Sequence, residues 1–140
     1  MYEKNEIIKF LENSPYWSLL GFKVKKIEEG MAEIYLPIKP ELAQMFTIMH
    51  GGAAASLLDA AGAVALFNWI DPSEEAVTTV ELKINYLNPV TLDETGITAK
   101  GSVVKRGRKL SVCYIDIYSD SGQDVSVGIG TYMITPRISS

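Results

Sequence analysis

The segment MHGGAAASLLDAAGAVALFNWI, residues 49–70, decides how the chain folds. It is apolar and rich in Ala and Gly, yet it carries one carboxylate, Asp59, in its middle. Apolar residues fall on nearly every side of a helix drawn through it, so the spacing predicts a central helix over residues 51–70 that is buried on nearly every side. Asp71-Pro72-Ser73 is read as its stop. The length admits a membrane span. Asp at a bilayer centre, however, costs about 2.5–3.5 kcal/mol, and no second apolar span accompanies this one. A buried carboxylate needs a partner, water or a task.

Working outward, Ile7, Ile8, Phe10 and Leu11 lie near helical spacing between Glu and Lys residues. They predict an amphipathic N-terminal helix within residues 1–14, ended by Asn13-Ser14-Pro15. The following GFKVKKIEEGMAEIYLPI alternates apolar and polar residues around Glu29-Gly30, the pattern of a hairpin. Beyond the central helix come TTVELKINYLNPV, ITAKGSVVKRGRKLSVCYIDIYS and DVSVGIGTYMITP, three strand-rich runs with turns at Gly107 and Ser121-Gly122. Helix and strand are segregated, which predicts an α+β fold with an antiparallel sheet. A single long sheet wrapped around the helix would bury it all round, and the small residues of the helix would let the sheet approach closely. The 140 residues are expected to form one domain, residues 1–140.

Composition narrows the function classes. A net charge of −4 and a pI near 5.0 give no basic footprint for nucleic acid. One histidine and one cysteine argue against a His- or Cys-based metal site, and Cys113 alone can form no internal disulfide. The opening MYEKNEIIKFLENS lacks the apolar core of a secretory leader, so a cytoplasmic protein is expected.

His50-Gly51-Gly52 precedes the first helical turn, where backbone N–H groups lack intrahelical partners and the dipole favours negative charge. Glycine there lets a ligand carbonyl come close, so the start of the helix can act as an oxyanion hole or can simply make a tight turn. Asp59 follows Gly51 by a little over two turns, on a face of Ala55, Ser56, Gly62 and Ala63. It can be a general base or nucleophile, or it can merely hydrogen-bond Ser56 or a backbone N–H. Lys105-Arg106-Gly107-Arg108-Lys109 sets four cations around a glycine, either as a solvated turn or as a grip on phosphates. Tyr16-Trp17 and Phe46 are expected in the core or lining a pocket.

The pattern QMFTIMHGGAAASLLD, then VTTVELKINYLNPV, then VVKRGRKLSV resembles the hotdog-fold acyl-CoA thioesterases of the PaaI type. The likeness covers roughly residues 15 to 135. It implies a hotdog fold, a long antiparallel sheet around one helix, and hydrolysis of an acyl-CoA to free acid and coenzyme A. It implies that Gly51 offers its N–H to the thioester oxygen and that Gln44 stands near the reacting carbonyl. Asp59 falls on the catalytic carboxylate, contributed by the partner subunit, and Thr79 falls where relatives place a hydroxyl beside it. His50 belongs to the motif and is read as shaping the turn. Gly52, Tyr86 and Leu110 fall along the coenzyme A path, with the cations of residues 105–109 on its phosphates. The resemblance further implies a homodimer with shared active sites that assembles as a homotetramer. No metal or other cofactor is implied, coenzyme A being part of substrate and product. A non-catalytic acyl-CoA binder and a hotdog hydratase or dehydratase are the alternatives. The acyl group cannot be read from the sequence.

Overall fold

The computed structural model describes residues 2–138. Two short helices open the chain. α1, Lys4–Glu12, starts with a reciprocal cap between Glu3 and Glu6 and buries Leu11 while Phe10 points outward. α2, Pro15–Leu20, begins on proline and ends at Gly21, whose φ of 85° suits glycine. The expected N-terminal helix is thus shorter than residues 1–14, and α2 was not anticipated. The six-residue PYWSLL is too short to show a helical period.

β1, Lys23–Glu28, and β2, Met31–Pro37, form the expected hairpin around Glu29-Gly30, with Gly30 at φ 70°. Ala32, Ile34 and Leu36 of β2 point inward and are fully buried. A 3-10 turn and a loop then lead to α3, Gly51–Val64. Four strands follow: β3, Glu75–Tyr86; β4, Gly96–Arg106; β5, Leu110–Ser119; and β6, Asp124–Pro136. They join one antiparallel sheet in the order β1-β2-β4-β5-β6-β3. The sheet curves around α3, which packs on β2, β3, β4, β5 and β6. This is the hotdog arrangement, and Leu57, Leu58, Ala61, Val64 and Leu66 fill its centre.

The central helix ends earlier than the predicted residue 70. After Val64 the chain tightens: the Leu66 N–H bonds the Ala63 carbonyl, and Phe67–Trp69 form a 3-10 turn. That shift leaves the Gly62 carbonyl without its helical donor, and the Cys113 thiol takes the place at 3.4 Å. Burial pushes that thiol up to about 12, so it stays protonated at neutral pH. Apolar composition continues through Ile70, which is why periodicity alone ran past the true end. The stretch long and apolar enough to cross a membrane, Gly51–Trp69, is therefore α3 plus this turn, set inside the sheet.

Candidate functional site

At the start of α3, His50 is the N-cap. Its Nδ1 accepts from the Gly52 N–H at 2.8 Å, its own N–H reaches the Leu42 carbonyl at 2.7 Å, and its carbonyl accepts from Ala53 N–H at 3.0 Å. The Gly51 N–H, by contrast, meets no acceptor among the described residues. The Tyr86 hydroxyl donates to the Gly51 carbonyl at 2.8 Å, and its ring lies so close that a Cβ on residue 51 would stand 3.2 Å from it. Gln44 opens a tight reversal: its N–H bonds the Ile48 carbonyl, its carbonyl accepts from Thr47, and its side-chain oxygen accepts from the Phe46 N–H. Thr47 adopts φ 63° to close the turn. The Gln44 side-chain NH₂ is left with no acceptor among the described residues. Gln44, Gly51 and Tyr86 share one cleft of about 320 Å³.

Asp59 stands eight residues on, about 12 Å along the helix axis. The Thr79 hydroxyl donates to its Oδ1 at 2.7 Å. Its Oδ2 takes no donor among the described residues. Thr79 sits at an irregularity in the β3–β6 pairing, between Thr79 and Glu81, where an extra residue re-aims the strand. Asp59 is half-buried in the wall of a second cleft, of about 500 Å³, with Trp17, Phe22, Ala63, Phe67 and Val77 among its lining. Ser56 is not the partner of Asp59. Its hydroxyl donates to the Gly52 carbonyl at 2.8 Å and lies 2.6 Å from the Tyr16 hydroxyl.

Beneath Asp59 lies Tyr132, fully buried, whose hydroxyl donates to the Asp59 carbonyl at 3.2 Å. Burial, then the nearby Asp59 charge, raise its phenol well above the usual range, so it stays a donor. Gly62 makes room for it: a Cβ there would fall 2.2 Å from the Tyr132 oxygen. Sequence reasoning missed Tyr132. The signal was present in β6, whose alternation puts Ser126, Gly128, Gly130 and Tyr132 on one face. The run of small residues beside it leaves space that only a large side chain fills.

The chain therefore brings its predicted site residues together in two groups. Gln44, His50, Gly51, Gly52 and Tyr86 gather at the start of α3, and Asp59 and Thr79 gather two turns further on. Gln44, Gly51 and Tyr86 line one cleft, and Asp59 and Thr79 line another. The cationic segment lies apart from both. It is the β4–β5 turn, in which Gly107 is required because a Cβ would meet the Leu110 carbonyl oxygen at 2.1 Å. The Arg106 guanidinium stacks 4.7 Å over the Trp69 ring. Arg106, Gly107 and Arg108 line a depression of about 470 Å³ with Trp69, Glu75 and Ile134. Lys105 and Lys109 are exposed and form no ion pair among the described residues. Leu110 opens β5 and is also exposed. Trp69 was not anticipated as a support for the cations. Phe46 is 74% exposed at the tip of the Gln44 reversal, and Tyr16 is exposed as well, so neither is a core residue. Tyr16 does line the Asp59 cleft with Trp17.

Comparison with known proteins bears on the family and the fold. The profile of the thioesterase superfamily matches residues 46–126. A protein of Saccharolobus solfataricus that carries an esterase name is 28% identical over 134 residues, covering 96% of this chain and 87% of its own. The medium/long-chain acyl-CoA thioesterase YigI of Escherichia coli is 24% identical over 139 residues, covering 89% of this chain and 88% of its own. The solved structure of the E. coli PaaI protein, from the phenylacetic acid degradation operon, superposes with a TM-score of 0.81 at 23% identity. It covers 97% of this chain and 93% of that one, a likeness of fold.

Proposed function

Because the chain belongs to the thioesterase superfamily, we propose that it hydrolyses an acyl-CoA thioester to a free acid and coenzyme A. The observation that carries this is the Asp59 carboxylate. Thr79 donates to one of its oxygens, and the carboxylate stands in the wall of a largely apolar cleft. Such a group can take a proton from water or attack a carbonyl carbon directly.

The Gly51 N–H and the Gln44 side-chain NH₂ serve the carbonyl oxygen. Both are donors without partners among the described residues, and the dipole of α3 adds to them as negative charge develops. A hydrogen bond of about 2.9 Å and an attack distance of about 3–3.5 Å fit around one carbonyl within roughly 7 Å. Gly51 and Asp59 of one chain are about 12 Å apart along the helix, so a single chain cannot place both on the same carbonyl. A complete site therefore pairs Gly51 and Gln44 of one subunit with Asp59 and Thr79 of a second copy, in a homodimer that can pair again into a tetramer.

With Asp59 as base, it takes a proton from water while the hydroxyl oxygen bonds to the carbonyl carbon. The C–S bond then breaks, its electron pair goes to sulfur, and the proton from Asp59 leaves with the thiol. With Asp59 as nucleophile, its oxygen bonds to the same carbon, the thiolate departs, and water opens the resulting anhydride. Neither route needs a metal or redox cofactor, since water is the co-substrate. His50 keeps its capping role and shapes the turn, which argues against a hydratase that would use it as a base. Gly52 and Tyr86 frame the passage past Gly51. Lys105, Arg106, Arg108 and Lys109 take the phosphates of coenzyme A, with Gly107 giving backbone access and Leu110 flanking the path. A cytoplasmic setting, where a lone thiol stays reduced, fits this substrate. Thiol release and free acid, followed across acetyl- to palmitoyl-CoA and aryl-acyl-CoAs, test the activity. Turnover of at least one class is expected, and tight binding of every class without hydrolysis would make the protein a binder instead.

A further inference from the structure

The cleft beside Asp59 has a wall that the bond-breaking chemistry does not use. Its polar groups, Ser56, Asp59 and Thr79, sit at the end nearer the start of α3, and its far end is apolar. α2 forms one side of it. The Trp17 ring stands edge-on to Phe22, with centroids 5.4 Å apart, and Phe22 is itself buried in the core. The Tyr16 hydroxyl lies 2.6 Å from Ser56 Oγ, whose own proton goes to the Gly52 carbonyl, so Tyr16 is the donor. Ser56 precedes Asp59 by one helical turn. Tyr16 thus latches α2 across the cleft next to the carboxylate. Further ties are Ser18 Oγ to the Glu12 carbonyl at 2.9 Å and Lys39 Nζ to the Leu19 carbonyl at 2.7 Å.

We propose that α2 is the specificity wall of the acyl site, with Trp17 meeting the far part of a medium-chain or aryl-substituted acyl group whose carbonyl end lies at Asp59, and Tyr16 latching α2 beside the carboxylate. This rests on the thioester hydrolysis proposed above, and it adds the class of acyl group. The volume of about 500 Å³ is in the range that encloses most of a small organic group. From Asp59 to Val64, where α3 ends, is five residues, on the order of 7.5 Å of helix rise, and Phe67 in the following 3-10 turn extends the lining to roughly 12 Å. A hexanoyl, octanoyl or phenylacetyl group fits within that length. A palmitoyl group overruns it unless α2 moves. Ala63 lies one turn beyond Asp59 on the same face, so the acyl body passes over it.

The test compares kcat/KM for butyryl-, octanoyl- and palmitoyl-CoA in the native protein, Ala63→Leu and Trp17→Ala. Ala63→Leu fills the passage and is expected to lower octanoyl relative to butyryl turnover by about tenfold or more. Trp17→Ala opens the far end and is expected to raise palmitoyl relative to octanoyl turnover. Native ratios retained by both variants would overturn the proposal. If the native protein hydrolyses none of the three and no aryl-acyl-CoA, the hydrolysis reading fails by itself and binding decides the acyl site. The Trp17 contribution to fluorescence, isolated as native minus Trp17→Phe, is then titrated with octanoyl-CoA and with coenzyme A. A response to octanoyl-CoA alone supports the wall, and the same response to both overturns it.

Discussion

Thr79 is the residue that turns Asp59 from an oddity into a positioned group. A hydrogen bond to a charged partner contributes about 1.5–3 kcal/mol, enough to hold one carboxylate orientation against rotation. Thr79→Val keeps the shape and removes the donor. The expected result is a kcat lower by about 10- to 100-fold with KM nearly unchanged. Steady-state kinetics on a turned-over acyl-CoA check it, and an unchanged kcat would reduce Thr79 to a packing residue. The strangeness of Asp59 was legible in the sequence, because a lone charge in an Ala-rich run demands a reason. Its pairing with Thr79 was not legible from spacing and came only through the family resemblance. Tyr132 was missed altogether, since its contact with the Asp59 carbonyl spans 73 positions and depends on how β6 crosses the helix.

Elements were legible where local chemistry marks them. Gly30 and Gly122 take positive φ at two of the expected turns, and His50 caps α3 where His-Gly-Gly suggested a start. The end of α3 was not legible, because the chain tightens after Val64 with no local stop residue, and the Gly62 carbonyl this frees is met by Cys113 of β5, 51 positions away. The close fit of helix and sheet was also only half anticipated. Small residues on the helix were expected, but the strands contribute glycines too. A Cβ on Gly101 of β4 would fall 2.4 Å from the Ala61 carbonyl oxygen of α3, and, between strands, one on Gly128 of β6 would fall 2.4 Å from the Lys83 carbonyl oxygen of β3. Both obstacles are backbone and cannot swing away. Gly101→Ala is therefore expected to destabilise the fold by about 1–3 kcal/mol, read as a lower urea midpoint at unchanged slope. An unshifted midpoint would mean that the sheet is not pressed on α3 at that place.

For the whole molecule, the sheet order matters most, and no sequence pattern announced it. β3 follows the helix yet lies on the far edge beside β6, twelve residues long, with Val80 exposed. A long edge strand with open backbone groups is a ready surface for pairing with a second copy. The shared site proposed above, with Gly51 and Asp59 from different chains, uses such a copy. Subunit complementation tests the shared site. Asp59→Asn and Gln44→Ala are each expected to be impaired. Mixed by refolding together, half of their dimers combine one chain of each kind, and each mixed dimer holds one intact site of two. Recovery of about a quarter of the native activity is expected if sites are shared, and none if each chain carries its own.

The most direct test of the central claim, that Asp59 is the catalytic carboxylate of a thioester hydrolase, is kcat for thiol release in the native protein and in Asp59→Asn, with the acyl-CoA the native protein turns over fastest. Asparagine keeps the size of the side chain and its hydrogen bond from Thr79, but it can neither hold a water proton nor attack as an anion. A fall in kcat of about 10²- to 10⁴-fold, with acyl-CoA still bound, is the predicted result. Turnover by Asp59→Asn within a few-fold of native would contradict the assignment and leave the carboxylate a structural group.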